Sequence, residues 1–571
     1  INNGANELLS STIRNGDDSG TIILRDPCKL FPDSLDGAAK TLKVEGAKGS
    51  IDHNEMEIKY IEGGDEWKEY ITKKKSTVME YVKNDVYVLE KVVDAIKQLY
   101  NISVNGKTVP FVACFSRSMA AGHLWNKMHD DETKEMLDQI PRGPYSKILA
   151  GDEKIQLVDL MTHVLAARVQ APYGKFYHKD VLLVDAKSMY PSRAVLDWYP
   201  CGIMTPTKKY VEGKLGLYEV SIFEQNHPHV IPYRENKSNS YDWKSENSFT
   251  KWMTSVDVEE LMENGADFHV EQGVYWSEKT KSYFHSYMTT LYNLRKIEND
   301  AALNLHYKIL MNALLGSLLQ EMMREYSVIL TASGLQNMLK KYGNVISVIE
   351  VHDYQEGHML CIFKPIRLSG NDMKLVRLQD EVCKGAVVHK PGILTWFVLA
   401  YARRDLRRVW RLVENIDEGC RMIYCDTDSL MFTNSAYARK RLEESGLLGK
   451  ELGQWDVEYE NAEAYIVRSK FYAVRNADGE EKVRIKGVKK NAYCRTVDDK
   501  SSLREEDLKR MSEIDEYDER SILFKEIVEH AKDKPLGPSF QHVKDVYNGA
   551  KLQVVNFQMH KLNREVIKKY V

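Results

Sequence analysis

Val181-Leu182-Leu183-Val184-Asp185-Ala186-Lys187-Ser188-Met189-Tyr190-Pro191-Ser192 runs four apolar residues into a carboxylate and then into a proline turn. An unbroken apolar run of that length suits a strand buried on both faces, with Asp185 standing where the strand leaves the core. An Asp at a strand end is ordinarily a turn former. Tyr424-Cys425-Asp426-Thr427-Asp428-Ser429 is a different case, because it carries acids at i and i+2 between the apolar flanks Met422, Ile423, Leu430 and Phe432. It reads as two short strands around a polar turn that rises from a core. Two carboxylates so placed repel each other unless cations or basic side chains neutralise them. Phosphoryl transfer with two Mg²⁺ needs carboxylates from two chain segments, and it also needs positive charge for a triphosphate. Lys308, Asn312, Leu315 and Gly316 fall at i, i+4, i+7 and i+8 of an apolar helical stretch, so they share a face that presents a Lys with an Asn.

Outward from these segments the chain reads as ordinary globular material. Its 571 residues give roughly four domains as a prior. With 43% hydrophobic and 29% charged residues, wholesale disorder and collagen-like repeats are excluded. Eighty Lys and Arg against 83 Asp and Glu leave a formal charge of −3, so a nucleic-acid partner would have to be held by local basic patches. Apolar runs such as Ile393 to Ala402 fall short of the roughly 18 residues a membrane span needs, so no membrane partner is expected. The eight cysteines contain no C-x-x-C pair, which predicts reduced thiols in an intracellular protein that is not secreted. The start, Ile1-Asn2-Asn3-Gly4-Ala5, carries neither Met nor a signal pattern, so a fragment or a processed start is expected.

Periodicity predicts a helix from Glu66 to Tyr100 through Val78, Tyr81, Val82, Val86, Val88, Leu89, Val92, Val93 and Ile96. A helical region follows over 285–325, strand-like runs with turns over 326–381, a helix from Pro391 to Glu414, and mostly charged amphipathic helix over 495–571. The stripe Arg403, Arg404, Arg407, Arg408 and Arg411 with Trp410 fits either template binding or a solvated helix face. A second basic cluster comprises Lys482, Arg484, Lys486, Lys489 and Lys490.

Taken in order, the three chemical segments resemble the palm motifs of family B DNA polymerases, D-x-x-S-L-Y-P-S, K-x-x-x-N-S-x-Y-G and Y-x-D-T-D-S. The first matches at Asp185, Ser188, Tyr190, Pro191 and Ser192, with Met189 for Leu, and the third matches in full. Lys470-Phe471-Tyr472 resembles the family's K-x-Y element, and Tyr81-Val82-Lys83-Asn84-Asp85 its third exonuclease motif, Y-x-x-x-D. Lys48-Gly49-Ser50-Ile51-Asp52 is similar to the K-x-x-h and Ile-Asp pattern of the protein-primed subfamily found in viruses and linear mobile elements. Tyr173-Gly174-Lys175-Phe176 resembles in part the Y-x-G-G element between the two activities. The long intervals from Asp185 to Lys308 and from Gly316 to Asp426 leave room for that subfamily's two insertions.

The resemblance implies a mixed α/β (α+β) right-hand polymerase with palm, fingers and thumb, preceded by the carboxy-terminal part of a 3′-5′ exonuclease domain of the RNase H type. It assigns 1–100 to the exonuclease part, 101–175 to the connection, 176–204 and 381–494 to the palm, 285–321 to the fingers and 495–571 to the thumb. Residues 205–284 and 322–380 become the two terminal-protein regions. Asp185 and Asp428 would hold two Mg²⁺, or Mn²⁺ as a substitute, with Asp426 secondary. Tyr190, Ser188, Lys308, Asn312, Arg295 and Lys296 would bind the nucleotide, and Lys470, Tyr472, Lys486 and Gly316 the DNA. The implied partners are a DNA primer-template, dNTPs and a terminal protein, with the chain acting as a monomer.

Two departures stand out. Leu315 replaces the Tyr of the second motif. The D-x-E and second Asp of the exonuclease are absent and would lie upstream of residue 1, so Tyr81, Asp85 and Lys48 form a remnant and no proofreading is expected of this chain. A catalytically impaired remnant that binds nucleic acid or a terminal protein, and a conventionally primed polymerase, are the competing readings.

Overall fold

The apolar run at 181–184 lies inside an eleven-residue strand, Phe176–Ala186, in which Val181, Leu182, Leu183 and Val184 are all fully buried. The computed structural model describes residues 10–14, 21–25, 30–31, 35–44, 64–100, 116–234, 241–354, 357–488, 493–497 and 537–555. Lys48, Ile51, Asp52, Lys489, Lys490 and most of 495–571 lie outside them. The chain divides into two units, Ile1–Leu165 with Tyr190–Tyr401, and Ala166–Met189 with Ala402–Val571.

The second unit is built on a seven-stranded sheet in the order Glu481–Ile485, Phe471–Arg475, Trp455–Arg468, Phe176–Ala186, Ser429–Thr433, Met422–Asp426, Val169–Gln170. Every pairing in it is antiparallel. Continuous apolar runs ordinarily mark parallel sheets. Here the run arises because the Asp185 strand is central: Val181 and Leu183 pack with Ile423, Tyr424, Met431 and Tyr472 on one face. Leu182 and Val184 belong to the other face by the two-residue period and are buried as well. The helix Phe540–Tyr547, opened by a capping box between Ser539 and His542, packs Phe540 and Val543 on Tyr465, Phe471 and Ala473. The expectation of a mostly helical 495–571 needs correction within the described residues, because Tyr493–Val497 pairs with Lys551–Val555 as antiparallel strands.

The first unit carries the expected long helix, Gly64–Leu99. Only Tyr70, Val88, Val92 and Ile96 of its described apolar positions are buried, while Val82, Val86 and Leu89 are exposed. Most of the described part of the interval 205–284 belongs to a four-stranded sheet, in the order Tyr199–Thr207, Asp267–Thr280, Gly216–Glu224, Phe249–Thr254, and the helix Ser255–Asn264. That helix starts at a Thr254–Asp257 capping box and stops at Gly265, whose φ of 70° suits a residue without a Cβ. The predicted helical region 285–325 is two helices, Ser282–Ile297 and Ala301–Leu318. The break has a local cause: the Asp300 carboxylate accepts the backbone N–H groups of Ala302 and Leu303 and starts a new helix. The interval 322–380 holds a three-stranded sheet, Tyr326–Thr331, His358–Pro365 and Ile346–Asp353, with two helices, Ala332–Tyr342 and Met373–Val382. Pro391 precedes the helix Gly392–Val413, as its sequence suggests. Among the described residues no helix is long and apolar enough to cross a membrane.

Candidate active site

Strand register sets the aspartates of the second unit. Asp185 stands opposite Ser429 on one neighbouring strand and opposite Asp456 on the other. The Ala186 N–H donates to the Asp428 carbonyl at 2.7 Å, and the Lys187 N–H donates to the Gln454 carbonyl at 2.8 Å. The first bond ties the end of the Asp185 strand to the turn that carries Asp428, and the second ties it to the start of the Trp455–Arg468 strand, so the two principal acids stand at a strand end and at the turn of the neighbouring hairpin. Asp456 is met by the Lys187 ammonium, which keeps a third negative charge from going unbalanced.

The hairpin turn itself is tight. The Asp428 N–H returns to the Asp426 carbonyl at 2.6 Å across Thr427, whose φ is 64°, and the Thr427 N–H donates to the Arg168 carbonyl at 2.8 Å. Ser188 at the corner after Asp185 has φ 54°, and Lys470 has φ 58°. Left-handed backbone costs a non-glycine residue about 1–2 kcal/mol, and such strain gathers where surrounding structure holds a functional geometry. Three of these corners flank the same acids.

Asp426 is held differently from its neighbours. Its carboxylate accepts the Lys470 ammonium at 2.7 and 3.0 Å, the Tyr424 hydroxyl at 3.2 Å and the Thr427 hydroxyl at 3.2 Å. The Tyr424 oxygen in turn accepts the Lys470 backbone N–H at 3.0 Å. Tyr472 lies beside this group with its ring centroid 4.6 Å from that of Tyr424. Burial pushes both phenols above their ordinary pKa, so the Tyr424 hydroxyl is a proton donor to Asp426 at neutral pH. Lys470, which the K-x-Y resemblance directs toward a primer, is thus engaged with an acid of the same hairpin. Lys486 donates its backbone N–H to the Lys470 carbonyl at 2.9 Å. Replacing Lys470 by Ala should slow nucleotide incorporation about 10- to 100-fold, roughly 1.4–2.7 kcal/mol, while Lys470→Arg keeps most of the rate. Single-nucleotide incorporation kinetics read the difference, and equal rates for Ala and wild type would show the pair to be idle.

Sequence reading missed Arg168. Its guanidinium is 3% exposed, donates to the Gln170 side chain at 3.0 and 2.6 Å, and lies 4.7 Å from the Trp410 ring. Burial lowers its pKa to about 10, which still leaves it cationic at neutral pH. Its backbone carbonyl fixes Thr427, and its side chain packs Gln170 and Trp410 together beside the hairpin strand Met422–Asp426, with which Val169–Gln170 pairs. Arg168→Ala should cost about 2–4 kcal/mol of stability through the lost stacking, the lost hydrogen bonds and the cavity, measured by denaturant unfolding. A loss below about 0.5 kcal/mol would contradict that role. No pattern around Arg168 or Asp456 signals either residue in the sequence.

Several expectations change on the structure. The arginine stripe is not one solvated face: Arg403 and Arg407 are buried, Arg408 is exposed and pairs with the buried Asp405 at 2.9 Å, and Arg403 donates to the Ala166 carbonyl. Lys482 is paired with Glu458. In the first unit Lys308 and Gly316 lie on the exposed side of their helix, whereas Leu315 is 4% exposed and packed among Leu310, Met311, Leu314 and Leu318. Leu315 therefore does not share the exposed face with Lys308; it sits at the edge of the apolar arc and is drawn into the core. The Asn312 side chain donates to the Lys308 carbonyl at 3.0 Å. Arg295 is held by Asn304, donating at 3.0 Å and accepting at its carbonyl at 2.9 Å, while Lys296 is exposed. Tyr190 and Ser192 sit on the helix Met189–Leu196, Tyr190 half-buried against apolar neighbours. Tyr81 and Asp85 lie one turn apart on the long helix, both half-buried, with one Asp85 carboxylate oxygen buried and unbonded among the described residues.

Comparison with known proteins adds three findings. The family model described as DNA polymerase type B, organellar and viral, matches residues 4–356, which include the Asp185 and Lys308 segments and stop short of the Asp426 hairpin. A DNA polymerase of Kluyveromyces lactis is 23% identical over 442 residues, covering 72% of this chain and 39% of that protein. A probable DNA polymerase of Agaricus bitorquis is 22% identical over 502 residues, covering 81% of this chain and 59% of that protein. The chain thus spans 39% and 59% of the length of these two relatives. Among solved structures, Phi29 DNA polymerase complexed with primer-template DNA and incoming nucleotide has a TM-score of 0.55 at 15% identity, over 85% of this chain and 79% of that chain. Its post-translocation binary complex with primer-template DNA gives 0.55 at 17% identity, over 86% and 79%. At such identity the likeness is one of fold.

Proposed function

The chain belongs to the organellar and viral type B DNA polymerases, with the mixed α/β right-hand fold of that enzyme class, and from that premise we propose that it adds deoxynucleoside monophosphates to a primer 3′-hydroxyl at a centre carried by Asp185 and Asp428. The observation that supports this reading is the register that stands Asp185 beside the Asp426–Asp428 hairpin, joined by the bond from Ala186 N–H to the Asp428 carbonyl.

The donor set fits hard divalent cations, since Asp185 and Asp428 offer carboxylate oxygens and no soft ligand, and Mg²⁺ is the natural occupant, with Mn²⁺ as a substitute. When bound, such ions supply charge stabilisation to the attacking and leaving oxygens of an in-line displacement. Asp426 is secondary because Lys470, Tyr424 and Thr427 already satisfy its oxygens; its task is to lock the hairpin. In the reaction the 3′-oxygen bonds to the α-phosphorus of a dNTP and pyrophosphate leaves, through a loose transition state whose charge must be balanced. Lys308, with Asn312, Arg295 and Lys296, balances the triphosphate. Tyr190, presented just after Ser188, packs under the deoxyribose and leaves no space for a 2′-hydroxyl. Lys486 and Gly316 hold primer and template phosphates, while Lys470, paired with Asp426, and the buried Tyr472, packed on Tyr424, act by fixing the hairpin rather than by touching DNA.

Initiation on a hydroxyl of a terminal protein is the finer part of the proposal. It is supported by the two intervals between the motifs, which hold sheets of their own at 199–280 and 326–365 and so suit the terminal-protein regions 205–284 and 322–380. Palm at 176–204 and 381–494, fingers at 285–321 and thumb at 495–571 complete the assignment, with exonuclease residues at 1–100 and the connection at 101–175 in front.

A labelled primer on a recessed template, supplied with Mg²⁺ and one dNTP at a time, tests the reading. The expected result is addition of the complementary nucleotide alone, with one pyrophosphate released per step. Folded protein that binds the DNA without extending it would favour the impaired remnant. On an unprimed linear template, label should appear on protein when a terminal protein is supplied; initiation without one would support conventional priming.

A further inference from the structure

The first unit contains a second grouping of ligand-type side chains, which the polymerase reading does not use. His227 and His229 flank Pro228 after the strand Gly216–Glu224, and Glu246 arrives from the far side of the bridge between Tyr233 and Asp242. The three ligand atoms lie within 4.8 Å of one another, the only such group of three His, Cys, Asp or Glu among the described residues. The two imidazoles stack with centroids 4.3 Å apart and planes 10° apart, and His227 Nε2 is 3.5 Å from Glu246 Oε1.

The backbone beneath these residues is fixed by bonds that owe nothing to an ion. The Gln225 side chain accepts from the N–H groups of Val230 and Ile231 at 3.0 and 2.9 Å and donates to the Ile231 carbonyl at 2.8 Å. The Asn264 side chain accepts from the Asn226 N–H at 3.0 Å and donates to its carbonyl at 2.8 Å. Val230, Ile231 and Trp243 are anchored in the core of the four-stranded sheet. The loop is therefore held ready, with His229 at 2% exposure on its inner side and the exposed His227 and Glu246 on the outer side.

We propose that His227, His229 and Glu246 bind a divalent transition cation of the Zn²⁺ class, with water as the fourth ligand, and that this ion clips the 225–231 loop to the segment carrying Glu246. Two neutral imidazoles and one carboxylate are a borderline-metal donor set that Mg²⁺ and Ca²⁺, which take oxygen, do not favour. Bonds of about 2.0–2.1 Å put tetrahedral ligand atoms roughly 3.4 Å apart. In the parallel stack the two imidazole lone pairs do not converge, so binding turns the exposed His227 ring out of the stack and brings Glu246 in, while the buried His229 stays in place. The ion's role is structural, independent of nucleotide addition.

The test uses the full chain, loaded with Zn²⁺ and dialysed against metal-free buffer containing millimolar Mg²⁺ to occupy the palm carboxylates. Wild type should retain about one equivalent of Zn²⁺ and unfold at a higher temperature with it than without. His227→Ala and Glu246→Gln, both at exposed positions, should weaken retention at least about tenfold and abolish the thermal shift. Co²⁺ in place of Zn²⁺ should give the strong visible absorption of a four-coordinate centre in wild type alone. Asp428→Asn should keep its zinc, which separates this site from the polymerase centre. No retained metal in wild type, or retention unchanged in both variants, would overturn the proposal and leave a His–Glu ion pair.

Discussion

Asp428→Asn should lower the single-turnover rate of nucleotide addition by about 10³- to 10⁴-fold, roughly 4–5.5 kcal/mol of transition-state stabilisation, while primer-template affinity changes no more than a few-fold. Asn keeps the size and shape of the side chain and removes its charge. The local backbone should survive, because the bonds that hold it, Asp428 N–H to the Asp426 carbonyl and Ala186 N–H to the Asp428 carbonyl, are main-chain bonds. Asp185→Asn should cost as much, and the double variant little more than either, since the two act as one unit. Asp426→Asn should cost far less, about tenfold, because that carboxylate is engaged with Lys470 and Tyr424. Rapid-quench kinetics on a recessed template measure all four proteins. An Asp428→Asn enzyme with more than a tenth of wild-type rate would put the chemistry elsewhere.

The second large effect falls on the nucleotide. Lys308→Ala should raise the dNTP concentration needed for half-maximal rate about 100-fold, roughly 2.7 kcal/mol, with primer-template affinity unchanged. Lys308 is exposed on its helix, so its loss should leave folding intact. Lys308→Arg should recover part of the affinity, because charge is kept while the point geometry of an ammonium is not. Asn312→Ala should act more weakly, as its amide already donates to the Lys308 carbonyl. Titrating the correct dNTP under pre-steady-state conditions separates these cases. A Lys308→Ala enzyme that lost DNA binding and kept its nucleotide response would refute the assignment.

The parts of the site that were legible in the sequence are those written in contiguous residues. The apolar run 181–184 announces its strand, and the apolar flanks of Asp426 and Asp428 announce their hairpin, because burial on both faces leaves an unbroken pattern. What depends on register between distant strands left no trace. Asp456 faces Asp185 only because the strand Trp455–Arg468 pairs there through three shifts of register. Arg168 is a lone basic residue until the chain brings Trp410 and Gln170 around it. The two intervals between motifs showed up as length; their strands carry bulges, as at Trp276 to Glu278 and Val348 to Glu350, which break the alternation that periodicity needs. Leu315 illustrates the limit of face arithmetic: i+7 lies near i on a helical wheel, yet the side chain's own apolarity decided which way that edge position turned.

Whether Asp185 and Asp428 form the centre of nucleotide addition is decided by counting Mn²⁺ bound per chain by electron paramagnetic resonance, in a complex with a 3′-deoxy primer on its template and the matching dNTP, where the reaction cannot proceed. Wild type should bind about two ions and Asp185→Asn and Asp428→Asn about one or none, with the DNA and nucleotide still bound. Two ions retained by both variants would contradict the assignment of these aspartates as the centre of nucleotide addition.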